Sequence, residues 1–301
     1  MTTILHRPAR IVAKGPFDLG ASARFLAGFT PAARPDAGDE AGTLRLAFPV
    51  EGTWEHAGVL VRQRAPGSVE VSVEAGQRVA GEAVRQVRRI LSLDVDGSGF
   101  AAVGEADPVV GRLLERYPGL RPVLFPSPYE AACWAIIGNQ LRMASAAQLK
   151  RRLAERNGVS VEVSGHRLAS FPAPAELLAL DRLLDLPEVK VRRLHSIARA
   201  ALDGVLDAAA LRAMDPGEAL YRLQKLPGVG PFSAQLILIR GAGHPDVFPT
   251  AEERLHAEMR ALYRRPEAKV TELERIARGW RPYRSWVALL LRTNREARSA
   301  S

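Results

Sequence analysis

Residues 226–255 read LPGVGPFSAQLILIRGAGHPDVFPTAEERL, a glycine-proline turn, an apolar helical run and two adjacent acids with little between them. Just upstream, Asp215-Pro216-Gly217-Glu218 has the form of a helix start: an N-cap aspartate, a first-turn proline and an acid at the third position. The helix it opens carries Leu220, Leu223 and Leu226 on one face and runs into Pro227-Gly228-Val229-Gly230. Glycines there permit a tight turn and a close approach of the backbone to something else. Pro231 then opens a second helix, with Phe232, Leu236 and Ile239 sharing a face. Two helices joined this way leave free backbone N–H groups at a positive helix end, a geometry suited to a phosphate. Amides carry no base information, so any nucleic-acid grip built from them is independent of base sequence. The competing reading is a helical hairpin that is only structural.

Charge separates the two readings. The chain has 301 residues and a formal net charge of +9, with a sequence pI near 10.3. From Tyr221 onward there are 15 Lys and Arg against 8 Asp and Glu, whereas residues 1–120 carry 14 of each. An anionic partner, nucleic acid before membrane, is therefore expected to be held mainly by the last third of the chain. With 47% hydrophobic residues the chain can bury one large core or two to three smaller ones. The single cysteine, Cys133, excludes an internal disulfide and a zinc site built on cysteines. No export signal and no apolar run of membrane-spanning length is found, so a soluble cytoplasmic protein is expected.

Residues 43–50, 57–65 and 68–75 alternate apolar and polar side chains between Gly and Pro breaks, which predicts half-buried antiparallel strands. With a helix in ASARFLAGF and another in EAVRQVRRILSL, they make an α+β domain with a small antiparallel sheet over residues 1–105. Residues 32–42, AARPDAGDEAG, read as a flexible loop. Beyond DVDGSGF the strand pattern is lost. Helices are predicted at 107–116, 128–138, 145–157, 174–184, 189–206, 216–226, 231–241, 251–263, 271–278 and 286–296, an all-α domain over 106–301.

The hairpin stretch resembles the signature of the helix-hairpin-helix DNA glycosylase superfamily, and the whole chain resembles its bacterial 3-methyladenine DNA glycosylase II branch. GPFDLGASARFLAGF, YPGLRPVLFPSPYEAACWAIIGNQLRMASAAQL, FPAPAELLAL and WRPYRSWVALLL occur in the order that branch shows. The resemblance implies a base-excision enzyme that bends double-stranded DNA, everts a damaged base and hydrolyses its N-glycosidic bond. An enzyme acting on a stacked base must extrude it, and damaged bases unstack more cheaply.

The resemblance also implies roles for particular residues. Gly228, Val229, Gly230 and Ser233 would grip a DNA phosphate. Carbonyls of Leu226 and Val229 would hold a monovalent cation, Na+ or K+, the only cofactor implied. Bifunctional relatives carry a nucleophilic lysine at the position of Phe232, so a monofunctional enzyme is expected. Phe232 and Phe25 would stack on the everted base, with Leu236 and Trp134 completing the pocket; helix core is the alternative for each. Asn139 and Gln140 would plug the gap left by the base or simply cap a helix end. Trp280, Tyr283 and Trp286 are expected in the core, and Arg281, Arg284 and Arg292 either touch phosphate or are solvated.

The main departure lies in the acids. The family's catalytic aspartate falls on Glu252, which keeps the charge but adds about 1.5 Å of reach. Moving a carboxylate from about 3.5 to about 5 Å from the sugar, at an effective dielectric of about 20, costs about 1.4 kcal/mol. That is about tenfold in rate. Thr250-x-x-Glu253 reads as a capping box for a helix from Ala251, which assigns Glu253 to capping and Glu252 to chemistry. Asp246 is expected to order the preceding turn. Two other readings stay open: a non-catalytic or weakly active binder of damaged DNA, and a glycosylase for deaminated or oxidised bases. A monomer is expected.

Overall fold

The computed structural model describes residues 4–5, 8–28, 42–183 and 186–300. The loop expected at 32–42 lies, apart from Gly42, outside the described residues, as does the expected helix end at Leu184. Strands β1 (Ile4–Leu5), β2 (Ala9–Val12), β3 (Thr43–Pro49), β4 (His56–Ala65) and β5 (Ser68–Ala75) form one antiparallel sheet. Its order is β1-β5-β4-β3, with β2 also paired to β5. Helices α1 (Leu19–Gly28) and α2 (Gln77–Ile90) pack against this sheet.

The rest of the chain is mostly helical: α3 (Phe100–Ala106), α4 (Pro108–Arg116), α5 (Pro128–Gly138) and α6 (Met143–Asn157) come first. A two-stranded antiparallel hairpin, β6 (Val159–Val163) and β7 (His166–Ser170), then interrupts the helices. After it come α7 (Pro174–Leu178), α8 (Glu188–Leu202), α9 (Ala208–Ala213), α10 (Pro216–Gln224) and α11 (Pro231–Leu236). A π turn, Ile237–Gly241, extends α11 and is followed by α12 (Glu253–Leu262) and α13 (Val270–Ala277). A 3-10 turn, Arg278–Trp280, leads to α14 (Arg284–Ala300). Among the described residues no helix is long and apolar enough to cross a membrane.

Two sequence expectations need correction. The strand pattern does not end near residue 100: VSVEV alternates and pairs with HRLAS, but only Val163, Leu168 and Ser170 of the ten are buried. This hairpin lies on the sheet, where Val163 and Leu168 pack with Ala47 and Leu60. Gly58 makes the room, since a Cβ there would come within 2.8 Å of both Val161 and Val163. The second correction follows from the first. β3 is buried along its whole length rather than on alternate residues, because the hairpin covers the face left open by the helices.

Apolar packing falls into two large cores that do not follow the order of the chain. One joins the sheet and α1–α4 to Leu255, Met259, Leu273, Trp280 and Trp286 of the C-terminal segment. The other is built from α5–α11. Val247 belongs to the second and its neighbour Phe248 to the first, so the segment leading to Glu252 crosses from one core to the other. Arg89 of α2 ties the two together, donating to Glu51, to the Pro126 carbonyl and to the Gly241 carbonyl. Burial raises the Glu51 carboxyl above its ordinary range, and Arg89 opposes that rise.

Candidate active site

The helical hairpin forms as its sequence implies. Asp215 caps α10, its Oδ1 accepting from the amides of Gly217 at 2.8 Å and Glu218 at 3.2 Å. In the turn, Val229 N–H donates to the Leu226 carbonyl at 3.0 Å. The two glycines have different reasons to be glycine. Gly228 has φ +86°, and a Cβ there would lie 2.7 Å from Arg193 Cδ and 2.9 Å from Ile136 Cδ1. Gly230 has an ordinary φ of −91°, and a Cβ would meet nothing within 4 Å. The fold requires the first, whereas room is left beside the second for a group from outside the chain.

Ala234 N–H returns to the Gly230 carbonyl at 2.9 Å, so the amides of Phe232 and Ser233 precede the first intrahelical bond. Phe232 stands at this tip with 48% of its surface exposed, Ser233 and Leu236 are half-buried, and Val229 is buried.

The loop carrying the acids is fastened to this helix. Buried Gln235 donates to Thr250 Oγ1 at 2.7 Å and accepts from Ala251 N–H at 3.0 Å. The expected capping box is therefore absent. The Thr250 hydroxyl is engaged by Gln235, α12 starts at Glu253 instead of Ala251, and no side chain caps it. Glu253 is 79% exposed on its side chain and lies 3.8 Å from His256 Nδ1. His256, buried and stacked near Phe248, donates from Nε2 to the Pro249 carbonyl at 2.9 Å.

Glu252 occupies the N-cap position without capping, and its carboxylate enters a charge cluster. Its Oε1 lies 3.3 Å from Arg292 Nε, and Arg292 Nη2 donates to Glu296 at 2.7 Å. The Glu252 side chain keeps 23% of its exposure, so it is a partly covered anion between the two cores. Behind it sits Arg240 of the π turn, donating to the Val123 carbonyl at 2.7 Å. Burial pushes the Arg240 guanidinium down to about 10, opposed by the charges of Glu296 and Glu252. Burial likewise raises the Glu296 carboxyl, opposed by Arg292, Arg254 and Arg240. Arg240 also lies 5.2 Å over the ring of Phe25, so Phe25, although buried, borders the cluster that holds Glu252.

Asp246 is bound on both sides within the turn. Its carboxylate accepts from Arg284 Nε at 2.8 Å and Nη2 at 3.1 Å, and its amide donates to His244 Nδ1 at 3.1 Å. Arg281, mostly exposed, stands 3.9 Å from the same carboxylate. Arg284 and Arg292 are thus neither solvated nor free for phosphate; each holds an acid.

The remaining aromatics are core residues. Trp134 is buried within α5 beside Phe125, with ring centroids 6.5 Å apart, and Trp280, Tyr283 and Trp286 are buried in the other core. Asn139 and Gln140 follow α5 directly and are exposed, with Gln140 at φ +59°. Residues around Glu252 that sequence reading missed are Gln235, Arg240 and Glu296. Of these only Glu296 left a signal, its i, i+4 spacing from Arg292.

Comparison with known proteins gives the chain's relatives. The model of the HhH-GPD superfamily base excision DNA repair protein matches residues 133–282. A DNA-3-methyladenine glycosylase of Bacillus subtilis (strain 168) is 30% identical over 217 residues, covering 70% of this chain and 71% of that one. DNA-3-methyladenine glycosylase 2 of Escherichia coli (strain K12) is 28% identical over 242 residues, covering 78% and 80%. Among solved structures, a 3-methyladenine DNA glycosylase from Archaeoglobus fulgidus superposes with a TM-score of 0.78 at 21% identity, covering 97% of this chain and 100% of that one. A partly covered carboxylate, carried on a loop fastened to the second helix of a glycine-rich hairpin, is thus found in a chain that belongs to the HhH-GPD superfamily of base excision DNA repair proteins.

Proposed function

We propose that this base excision repair glycosylase is monofunctional and acts on alkylated purines of the 3-methyladenine type in double-stranded DNA. The observation that carries the proposal is the Gln235 bridge, which couples the hairpin's phosphate-facing turn to the segment holding Glu252. A DNA strand gripped by amides near Gly230 and Ser233 would thereby have its everted sugar presented at a fixed offset from the carboxylate. The relatives' named activity supplies the substrate class.

In the reaction, the C1′–N bond breaks and its electron pair leaves with the purine, neutralising the positive charge of the alkylated ring. Positive charge develops on the sugar, and the Glu252 anion faces it. Water oxygen bonds to C1′ and releases its proton to bulk solvent. A cationic alkylpurine is a good leaving group, so a modest electrostatic site suffices. Phe232, exposed at the hairpin tip, offers a flat apolar surface to the everted base and has no amine with which to form a Schiff base. Asn139 and Gln140 fill the gap in the duplex. The carbonyls of Leu226 and Val229 would hold a monovalent cation, which would add positive charge to the hairpin; the Leu226 oxygen keeps a lone pair after accepting from Val229.

Incubation with methylated duplex DNA tests this reading. The expected products are free methylpurines and abasic sites that break only on alkali treatment. Direct strand cleavage, or borohydride trapping of protein on DNA, contradicts it. The Arg292–Glu252 pair favours one second reading, a damage-binding protein whose acid is neutralised by its arginine. Tight, salt-dependent binding to abasic-analogue DNA without any base release would select it.

A further inference from the structure

Lys190 is a buried lysine that no part of the mechanism above uses. It lies in the first turn of α8 with 9% of its surface exposed, and burial, with the nearby Arg193 charge, lowers its pKa. Its Nζ donates to the carbonyls of Ile137 at 2.8 Å and Asn139 at 2.7 Å. These carbonyls lie at the C-terminal end of α5, where helix geometry leaves them without intrahelical partners and the dipole favours a cation. Desolvating an ammonium is costly, so its placement beneath one particular turn calls for an account.

The turn above it projects outward. Asn139, Gln140, Leu141 and Arg142 are all exposed, and Gln140 holds φ +59°, a conformation that costs a non-glycine residue energy and persists only where its surroundings impose it. Close by on α8, Arg193 packs within 2.7 Å of where a Gly228 Cβ would stand. One short stretch of α8 therefore touches both the hairpin that faces phosphate and the turn that faces the duplex gap.

We infer that Lys190 is a positioning residue for base eversion: its ammonium, bound to the Ile137 and Asn139 carbonyls, holds the 139–142 turn rigid at a fixed distance from the hairpin, so that Gln140 enters the stack as the phosphate is gripped. The inference rests on the base-everting reading above. Without the ammonium, two carbonyls under a strained turn lose their partner and the turn relaxes. The penalty falls on eversion and not on bond cleavage.

The test uses the full chain with Lys190→Met, on 3-methyladenine-type lesions in two settings: a fully paired duplex, and a duplex with an abasic analogue opposite the lesion, where the base is unpaired and cheaper to extrude. Loss of two charge-assisted hydrogen bonds predicts roughly a 10- to 100-fold slower single-turnover release from the paired duplex. Release from the unpaired setting should change by less than about threefold, since eversion then costs less and no longer limits release. Equal losses on both substrates, or no loss on either, overturn the inference. Should Lys190→Met not fold, Lys190→Gln is read by the same ratio. If the parent releases no base at all, the excision reading has failed; the wedge is then read by 2-aminopurine fluorescence in bound duplex. A Lys190 variant with an undiminished fluorescence rise overturns the inference there too.

Discussion

Arg292 of α14 holds the Glu252 carboxylate with its Nε 3.3 Å from Oε1, and the same guanidinium reaches Glu296. A glutamate has one more rotatable bond than the aspartate of the family pattern, and this contact removes the added freedom. Orientation and charge act in opposite directions here, because Arg292 fixes the carboxylate and also offsets part of its field. Small misplacements of reacting groups cost up to about 100-fold. Orientation is therefore expected to dominate, and Arg292→Met should slow single-turnover release about tenfold or more while binding to abasic-analogue DNA changes less. Arg292→Lys should restore only part, since an ammonium lacks the guanidinium's planar fork. Faster release by Arg292→Met would show that the arginine restrains the acid instead.

The two hairpin glycines should respond differently to alanine. Gly228→Ala introduces a Cβ into Arg193 and Ile136 at φ +86°, so it should lower thermal stability by about 1 kcal/mol or more. Gly230→Ala meets no atom of the chain. Its melting temperature should be unchanged while its affinity for duplex DNA falls and the salt dependence of binding weakens. Unaltered affinity of a folded Gly230→Ala protein would remove Gly230 from the proposed phosphate contact.

Gln235→Leu tests the bridge between hairpin and acid. The change strips the Thr250 hydroxyl and the Ala251 amide of their partner, which should cost about 1–3 kcal/mol of stability. Under the proposed coupling, kcat falls by more than DNA affinity does. A variant destabilised by that amount but with unchanged kcat would reduce Gln235 to a packing residue.

His244 supplies a pH dependence with a defined sign. Its Nδ1 accepts the Asp246 amide, so the bonded ring is neutral, and burial lowers its pKa from the ordinary 6.5. Asp246 opposes that shift, while Arg212 and Arg284 reinforce it. With the folded value below the unfolded one, the unfolded chain binds more protons in the window between them. The His244 contribution to stability is therefore complete above about pH 6.5 and is lost as pH falls through the folded value. Chemical denaturation of the parent and of His244→Asn at pH 7 and pH 5 should show a shallower acid loss in the variant. An identical slope would contradict the assignment.

Elements bounded by strong local punctuation were legible in the sequence, and those depending on distant partners were not. Helix α5 is found at its predicted bounds because Ser127-Pro128 starts it and its apolar run ends at Gly138. The hairpin turn was equally plain, since prolines and glycines mark both of its ends. The β6–β7 hairpin was missed because only three of its ten residues are buried and its packing partner Gly58 lies far away in the chain, in β4. The capping box failed for a similar reason: the local pattern is real, but the Thr250 hydroxyl is taken by a glutamine on the preceding helix. Position alone singled out Glu252, whereas the arginine that fixes its side chain lies on α14 and no spacing rule links the two.

The central claim is that the Glu252 carboxylate stabilises the sugar as the alkylpurine leaves. Its most direct measurement is single-turnover release of 3-methyladenine from methylated duplex DNA by Glu252→Gln beside the parent, with binding to abasic-analogue DNA measured on the same preparations. The account predicts that release is lost, by about 100-fold or more, while binding stays within a few-fold of the parent. Release by Glu252→Gln at the parental rate would contradict it.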